Sequence, residues 1–568
     1  MHHRAFPPGW NKGPDNDLLD LVRQPMPERE PARRIRDFKE IVTGFDPQGA
    51  RVEASRCIQC GLCHESCPAH MHAPEYIRAI GMGDLDEAVR QIYRTNPFPH
   101  VCGRVCTHRC ESACAIGRRG EPVAIRWLKR FAMDQLSPER VRSIALAGQT
   151  LPSGRRVAII GSGPGGLTAA WDLARAGCAV TVFEANDRPG GMMRHGIPAY
   201  RLPAARLDDD IAVIIAAGVD LRCTTRIGPD LPFEDVRRAF DCVILATGLW
   251  RSRSTRIPGA DHPQVHSSID LLRRLRAGET LAPPRWAVVI GGGNVAMDIA
   301  RSLARIQMAA SGSVAVLLTC LEERGHMLAD ADEIREAEEE GVHLLAGRGP
   351  KRILTEGDAL SGLKTVRCLS IFDASGRFHP CYNENDTLFH PADLVVEAIG
   401  QTSELGFLGP EVTEALEWRE GRLDVDASGR TSLPWLWALG DLVEGPDVIH
   451  AIAAGHRTAR AVMENEGVMA EREHVHDHIR DLIAVPVSDH KFSNYIHTLE
   501  LGESPDDQAI LQYALGREQT AHEHYAALAE TTPIGPIRDL FRYLADEELR
   551  HKGELEKMYY AIVHRGGV

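Results

Sequence analysis

The stretch VAIIGSGPGGL, Val157 to Leu167, decides the fold. Its apolar run Val157–Ile160 reads as a buried parallel strand, and Leu167–Leu173 continues as a helix. Between them Gly161, Gly163 and Gly166 supply G-x-G-x-x-G. Dinucleotide chemistry needs glycine there: a tight turn, a backbone close to a pyrophosphate, and a helix N-terminus facing the negative charge. Alone the motif also fits a chance glycine-rich turn. Here Val180-Thr-Val-Phe-Glu184 follows as a second strand, ending in an acid suited to a ribose hydroxyl. The stretch is read as a dinucleotide site.

A second strand–glycine–helix unit begins at AVVIGGGNVAMD, Ala287 to Asp298. Gly291 and Gly293 take the first two glycine positions and Ala296 the third, where one methyl still allows helix–strand packing. Two such units in one chain imply a flavin and a nicotinamide, the pair that converts a hydride into single electrons.

The totals fit a multidomain globular chain: 568 residues, 43% hydrophobic and 25% charged. A net charge of −14 argues against a nucleic-acid surface. No apolar run approaches the roughly 20 residues of a membrane span, and Met1–Glu30 lacks a signal-peptide core, so a cytoplasmic protein is expected. Of fourteen cysteines, eight lie between Cys57 and Cys114. Cys57, Cys60, Cys63 and Cys67, followed by Pro68, have the C-x2-C-x2-C-x3-C-P spacing of a ferredoxin-type [4Fe–4S] site, with zinc as the alternative. Cys102, Cys106, Cys110 and Cys114 are spaced by four, which fits one helical face, but Gly103 and the need to wrap a cluster favour a loop. Upstream, Ile35, Phe38, Ile41 and Val42 predict a helix from Pro31.

The phrases EASRCIQC (Glu53–Cys60), NPFP (Asn96–Pro99) and VCGRVC (Val101–Cys106) resemble the glutamate synthase small subunit. They are similar also to dihydropyrimidine dehydrogenase and related NAD(P)H:ferredoxin oxidoreductases. The resemblance runs from about Pro31 to Val468. It implies one cluster on Cys57, Cys60, Cys63 and Cys114, and a second on Cys67, Cys106 and Cys110. The family completes the second cluster with Gln or Glu at the position of Lys129, a poor ligand, leaving Cys102 or an acid such as Glu121 to do so. One or two [4Fe–4S] clusters are expected. Gly191, Met192 and Arg201 match a flavin-wrapping stretch, and Gly248 ends a strand that returns beneath the flavin. Asn294 falls in the pyridine-nucleotide motif and Gly400 follows a strand near the nicotinamide. Gly440 and Asp441 return to the FAD domain. Where NADPH-using relatives show Tyr-Arg-Arg, this chain has Leu321 and Glu322. An acid repels a 2′-phosphate and accepts from a free ribose, so NADH is expected over NADPH, with Arg324 as the alternative phosphate contact.

The tail lies beyond that resemblance. Leu511, Leu515, Glu518, His522 and Tyr525, then Phe541, Leu544, Glu548, His551, Leu555 and Met558, follow steps of three and four. This puts Glu518, Glu548 and His551 on the seams of two antiparallel helices, where burial of a carboxylate is costly unless neutralised. A Glu facing a Glu-x-x-His is half of a di-iron carboxylate site. The segment resembles rubrerythrin and encapsulated ferritins, and self-association through this hairpin would complete the site. A helical hairpin without metal is the alternative.

The expected architecture is a flexible arm (1–30), an α-helical iron–sulfur domain (31–150), and an FAD domain (151–283 and 401–470) with an NAD(P)H domain (284–400) inserted in it. A linker (471–486) and an all-α ferritin-like hairpin (487–568) follow. Both central domains are α/β and Rossmann-like. No nucleophilic triad is suggested, so the redox cofactors carry the chemistry. The expected function is an NADH-dependent oxidoreductase passing electrons through FAD and the clusters to a ferredoxin-like acceptor or a large catalytic subunit. Three alternatives stand beside it: a true glutamate synthase small subunit, NADH-driven peroxide or oxygen reduction at the tail, and a tail that only binds iron or assembles the protein.

Overall fold

The computed structural model describes residues 21–147, 153–419, 422–445, 447–465, 507–532 and 536–563. Residues 1–20 of the expected arm and the whole expected linker lie outside them. The described residues form two compact units. One collects 21–26, 44–153 and the residues from 460 onward; the other takes Pro27–Thr43 and Gly154–Ala459.

The first unit is helical. Its cysteine-bearing part includes α1 (Leu62–Ser66), α2 (Ala73–Met82), α3 (Pro99–Val105), α4 (Arg109–Ser112) and α5 (Ile125–Gln135). Proline in the first turn starts α2, and Gly83, at φ +81°, ends it in the left-handed conformation that glycine adopts freely. Gly103 does not mark a loop. It sits inside α3, where a Cβ would come within 3.0 Å of the Arg130 Cα, so the missing side chain lets α3 lie against α5. The four-residue cysteine spacing is not a single helical face either. Cys106 ends α3, Cys110 lies on α4, and His108 between them has φ +41°.

The helix expected from Pro31 shrinks to Pro31–Arg34, and Val42 instead bridges to Glu28 as extended chain. Buried charge joins apolar burial of Ile35 and Ile41 in holding this segment, which belongs to the second unit. Arg34, 1% exposed, donates to Glu340 at 3.0 Å, Glu339 at 2.6 Å and Glu28 at 3.0 Å.

In the second unit, β1 (Arg156–Ile160) leads through the first glycine turn into α6 (Pro164–Arg175). Then come β2 (Ala179–Phe183), β3 (Asp220–Arg222), β4 (Cys242–Leu245) and β5 (Val265–Ser267). The second turn joins β6 (Ala287–Ile290) to α7 (Asn294–Ser311), followed by β7 (Val316–Thr319), α8 (Ala331–Glu339) and β8 (His343–Leu345). Long strands β9 (Arg348–Glu356), β10 (Ala359–Phe372) and β11 (Phe378–Pro391) precede β12 (Leu394–Glu397) and β13 (Leu436–Ala438).

The first sheet has the order β13-β4-β1-β2-β3 and the second β5-β12-β6-β7-β8, all parallel. Their near-continuous burial is what helices on both faces demand. In each, the glycine turn follows the strand at which the order reverses, where open α/β sheets bind ligands. Two features depart from the sequence reading. β5, three residues long and ahead of residue 284, already belongs to the inserted sheet. β9, β10 and β11 form an unforeseen antiparallel sheet.

The hairpin consists of α9 (Asp507–Thr531) and α10 (Pro536–Val563). Leu528, Ala529 and Phe541 form its small core with Tyr525 and Leu544, and His522 Nδ1 lies 2.8 Å from the Ala545 carbonyl oxygen.

Candidate functional site

The first turn is built so that only glycine fits. Gly161 has φ +111°, and a Cβ there would lie 2.4 Å from the Ala246 carbonyl oxygen. A Cβ at Gly166 would lie 2.2 Å from the Gly161 oxygen. At Gly163, which opens α6, a Cβ would meet nothing within 4 Å. Two glycines are thus fixed by the protein, while the third leaves open space at a helix N-terminus. That is the cradle a pyrophosphate requires.

Other expected residues converge on this turn. Gly190 donates to the Ser162 carbonyl at 3.1 Å, and a Cβ on Gly191 would strike Gly163 Cα at 2.8 Å. Met192 follows in the same short helix, Gly191–His195. Leu439 fills the space beside Gly165, which puts Gly440 and Asp441 next to the start of α6. Burial, and then the charge of Asp447, push the Asp441 carboxyl up to about 6. Gly248, at φ +63°, follows β4. Glu184 ends β2 as expected and is held by four hydrogen bonds. Oε2 accepts from the Ser162 amide at 3.1 Å and from its hydroxyl; Oε1 accepts from Asn186 N at 2.8 Å and Nδ2 at 2.7 Å.

Arg201 takes a position that sequence alone does not disclose. It donates to both Asp298 carboxylate oxygens at 2.9 Å and pairs with Glu333 at 2.8 Å, tying the flavin-type domain to the inserted one. Asp298 closes the quoted glycine motif, but nothing in the pattern points to Glu333.

The second turn repeats the first with a difference. A Cβ at Gly291 would lie 2.3 Å from the Ala398 oxygen, and one at Gly293 would meet nothing within 4 Å. Ala296 is fully buried on α7. Asn294 exchanges hydrogen bonds with Asp330, at 2.8 and 3.1 Å. Gly400, at φ +100°, accepts from Arg253 at 2.9 Å. Glu322 leans on the turn: a Cβ on Gly292 would come within 2.8 Å of its Oε2. Arg324 pairs with Glu338 at 2.6 Å.

The clustered cysteines fall into two overlapping electrostatic groups. Burial pushes the Cys57 and Cys63 thiols up and neighbouring thiol charges add to it; Cys57 feels Cys60 and Cys114, and Cys63 feels those three and also Cys110 of the second group. In the other group Cys106 and Cys110 feel Cys67 and Lys129. Lys129 is only 4% exposed. Burial works against its charge, but Cys102, Cys106, Cys110 and Cys67 hold its pKa above the ordinary value. Glu121 accepts from the Arg23 amide at 2.9 Å. Four thiols gathered in a buried space suit a cationic iron cluster, which removes the cost of ionising them. The EASRC phrase also gains a reason. Glu53 accepts from Arg56 at 2.7 Å, Ala124 at 2.7 Å and Gln24 at 2.8 Å, anchoring the chain just before Cys57.

In the hairpin, His551 Nδ1 lies 3.2 Å from Glu518 Oε2 and 3.2 Å from Glu548 Oε2. One potential ligand atom from each of the three lies within 4.8 Å of the others. The two carboxylates raise His551 to about 9; burial, with Glu548 beside it, raises Glu518 to about 7. This donor set, two carboxylates and one imidazole, fits iron or another divalent cation.

Comparison with known proteins gives each part a family. Residues 34–141 match the dihydropyrimidine dehydrogenase domain II, 4Fe–4S cluster family. Residues 509–564 match rubrerythrin. The NADPH-Fe(3+) oxidoreductase subunit beta of Geobacter sulfurreducens is 35% identical over 505 residues, 81% of this chain and 74% of that one. The glutamate synthase [NADPH] small chain of Halomonas elongata is 31% identical over 475 residues, 79% of this chain and 98% of that one. The NADP(+)-dependent formate dehydrogenase subunit beta of Moorella thermoacetica is 38% identical over 427 residues; the match takes 70% of this chain but spans only 59% of that relative's length. Residues 155–456, more than half of the chain, match the pyridine nucleotide-disulphide oxidoreductase family. The chain belongs to that family, as an NAD(P)H-dependent flavin and iron–sulfur oxidoreductase.

Proposed function

We propose that this chain is the NADH-oxidising, electron-delivering component of a larger assembly. The observation that carries the nucleotide choice is Glu322 against Gly292, where a carboxylate would oppose a 2′-phosphate and accept from a ribose hydroxyl. Arg324, which would have to receive such a phosphate, is engaged by Glu338. The relatives named above carry NADP or NADPH in their names, so this reading sets the chain apart from them.

On this reading Gly161, Gly163, Gly166, Gly191 and Gly440 offer FAD its backbone contacts, and Glu184 meets its adenosine ribose. Gly291, Gly293, Asn294 and Glu322 do the same for the nicotinamide nucleotide. FAD supplies conversion between a two-electron hydride donor and one-electron acceptors. Cys57, Cys60, Cys63 and Cys114 hold one [4Fe–4S] cluster. Cys67, Cys106 and Cys110 hold the other, with buried Cys102 as its fourth ligand in place of Lys129. Two of the relatives are named as subunit beta and one as a small chain, which supports a separate catalytic or ferredoxin-like partner as acceptor. None of the fourteen cysteines is paired in a disulfide, in keeping with a reducing cytoplasm. No helix among the described residues is long and apolar enough to cross a membrane.

The hairpin is read as an iron-binding module carried by Glu518, Glu548 and His551. One copy supplies half of a two-iron ligand set, which favours self-association through α9 and α10 as the route to a di-iron centre. The nucleotide assignment is tested by kcat/KM for NADH and NADPH with a one-electron acceptor. NADH is expected to be favoured at least tenfold; a preference for NADPH would overturn it.

A further inference from the structure

A cavity of the second unit belongs to neither glycine turn. It holds about 600 Å³, a size that takes a small ligand. Its walls are the helix that follows β5, Ser268–Arg276, the chain just after that helix, the later part of α7, and residues near Phe38 and Pro198. None of the glycines or acids of the two turns lines it. The α7 wall begins at Ser302, about 12 Å down the helix from Asn294. Leu272, Leu275, Leu281 and Ile306, with Phe38 and Pro198, make the lining largely apolar.

Charge sets this cavity apart from an ordinary apolar groove. Three guanidiniums and one carboxylate line it, in a chain whose net charge is −14. Arg305 is committed to Glu340 at 2.6 Å, and the carboxylate, Glu279, to Arg274 at 2.7 Å. The other two have no carboxylate within ion-pair distance among the described residues. Arg36 donates to the Ala32 carbonyl at 3.2 Å; Arg276 donates to those of Arg194 at 2.8 Å and Leu202 at 3.4 Å, through Nε and one Nη. A cation suits a helix C-terminus, but Arg276 turns its donors away from its own helix. The acid whose charge it feels, Asp208, is already shared by Arg188 at 3.1 Å and by Arg194. Burial, and then the charges of Arg194 and Arg188, bring Arg276 down to about 10. An anion in the cavity would relieve that excess of positive charge.

We propose that this cavity binds an amphipathic monocarboxylate, its apolar chain along Leu272, Leu275, Leu281 and Ile306 and its carboxylate on Arg276, with Arg36 as the second cation. A guanidinium and a carboxylate match in shape as well as charge. Inorganic phosphate would use the arginines and leave the walls bare; a neutral alcohol would use the walls and leave the arginines unpaired. Tail and charge are both required. The two carbonyls held by Arg276 flank His195–Arg201, so the occupant meets the flavin-type stretch at Pro198 and the inserted domain at α7.

The test is isothermal titration calorimetry on the full chain with its flavin and clusters in place. The probes are octanoate, 1-octanol, acetate and inorganic phosphate. One octanoate per chain is expected, with 1-octanol at least tenfold weaker and neither acetate nor phosphate bound. Arg276→Gln keeps a donor for the carbonyls and should weaken octanoate at least tenfold while leaving 1-octanol unchanged. Arg36→Gln, at an exposed position, should weaken it about threefold. Ala309→Trp places a large side chain on the exposed α7 wall and should abolish both octanoate and 1-octanol. Flavin content equal to wild type in each variant separates loss of the site from damage to the fold. No octanoate binding, equal affinity for octanoate and 1-octanol, or phosphate bound as tightly as octanoate would overturn the proposal. So would wild-type octanoate affinity in both Arg276→Gln and Ala309→Trp.

Discussion

The two glycine turns of the second unit make the same shape and keep it by different means. In the flavin-type turn, α6 is packed by close backbone approach: Gly161 against Ala246, Gly166 against Gly161, and Gly165 against Leu439 and Ala451. In the inserted turn Ala296 replaces the last glycine, and α7 is pinned by buried charge instead. Arg301 and Arg305 of α7 share Glu340, at 2.6 to 3.0 Å, with Arg34 donating to the same carboxylate. The acids beyond the second strands both meet their glycine loops. Glu184 accepts from Ser162 of the first loop and is fixed by Asn186 as well, and Glu322 lies against Gly292 of the second. A dinucleotide turn therefore needs its strand and its first glycines, and the rest of the support is open to substitution.

The comparison breaks most sharply at Gly166. Gly166→Val would drive a branched side chain into the Gly161 oxygen, which a Cβ alone would already approach to 2.2 Å. Purified protein should lose essentially all bound flavin, measured by absorbance after release. Ala296→Gly, the matching change in the other turn, should leave flavin content intact.

Glu340 tests the charged support of α7. Burial raises its carboxyl, but hydrogen bonds from Arg301 and Arg305 outweigh it and hold the pKa at about 2, against an ordinary value of 4.5. A carboxylate lowered by folding stabilises the fold above its unfolded pKa and loses that contribution as pH falls through the folded one. The loss falls between about pH 4.5 and 2 and amounts to about 3 kcal/mol. Glu340→Gln leaves buried arginines short of a counter-charge. Chemical denaturation at pH 7 should show about 3–5 kcal/mol less stability. The acid-side decline below about pH 4.5 should flatten in the variant.

Glu322→Arg sharpens the difference between the acids. It should raise the NADPH-to-NADH ratio of kcat/KM about 100-fold, or about 2.7 kcal/mol. Gly163→Ala is the smallest change. Its Cβ meets nothing within 4 Å, so Tm should hold while flavin affinity falls about tenfold, because the methyl enters the space left for the pyrophosphate. Equal flavin affinity would show that this space is not the cradle.

Legibility followed the range of the interaction. Gly161, Gly163 and Gly166 were readable because the turn, strand and helix are contiguous, and Glu518, Glu548 and His551 because helix periodicity brings them together. Gly103 was misread because its reason for being glycine is Arg130 of α5, distant in sequence. The helix expected from Pro31 failed because Ile35 and Ile41 are buried from irregular chain, in a segment also held by Arg34 and Glu340. β5 is too short to show a period, and the partners of Arg201 lie 97 and 132 residues away.

The central claim is that nicotinamide, flavin and iron–sulfur chemistry work in series in this chain. Anaerobic titration with NADH, followed by flavin absorbance and then by low-temperature EPR, tests it most directly. The account predicts bleaching of the flavin and, at substoichiometric NADH, EPR signals of reduced [4Fe–4S] clusters, of which the signal of the first cluster is lost in Cys57→Ser. Flavin bleaching with no cluster signal at any NADH concentration, in protein shown to contain iron and sulfide, would contradict it.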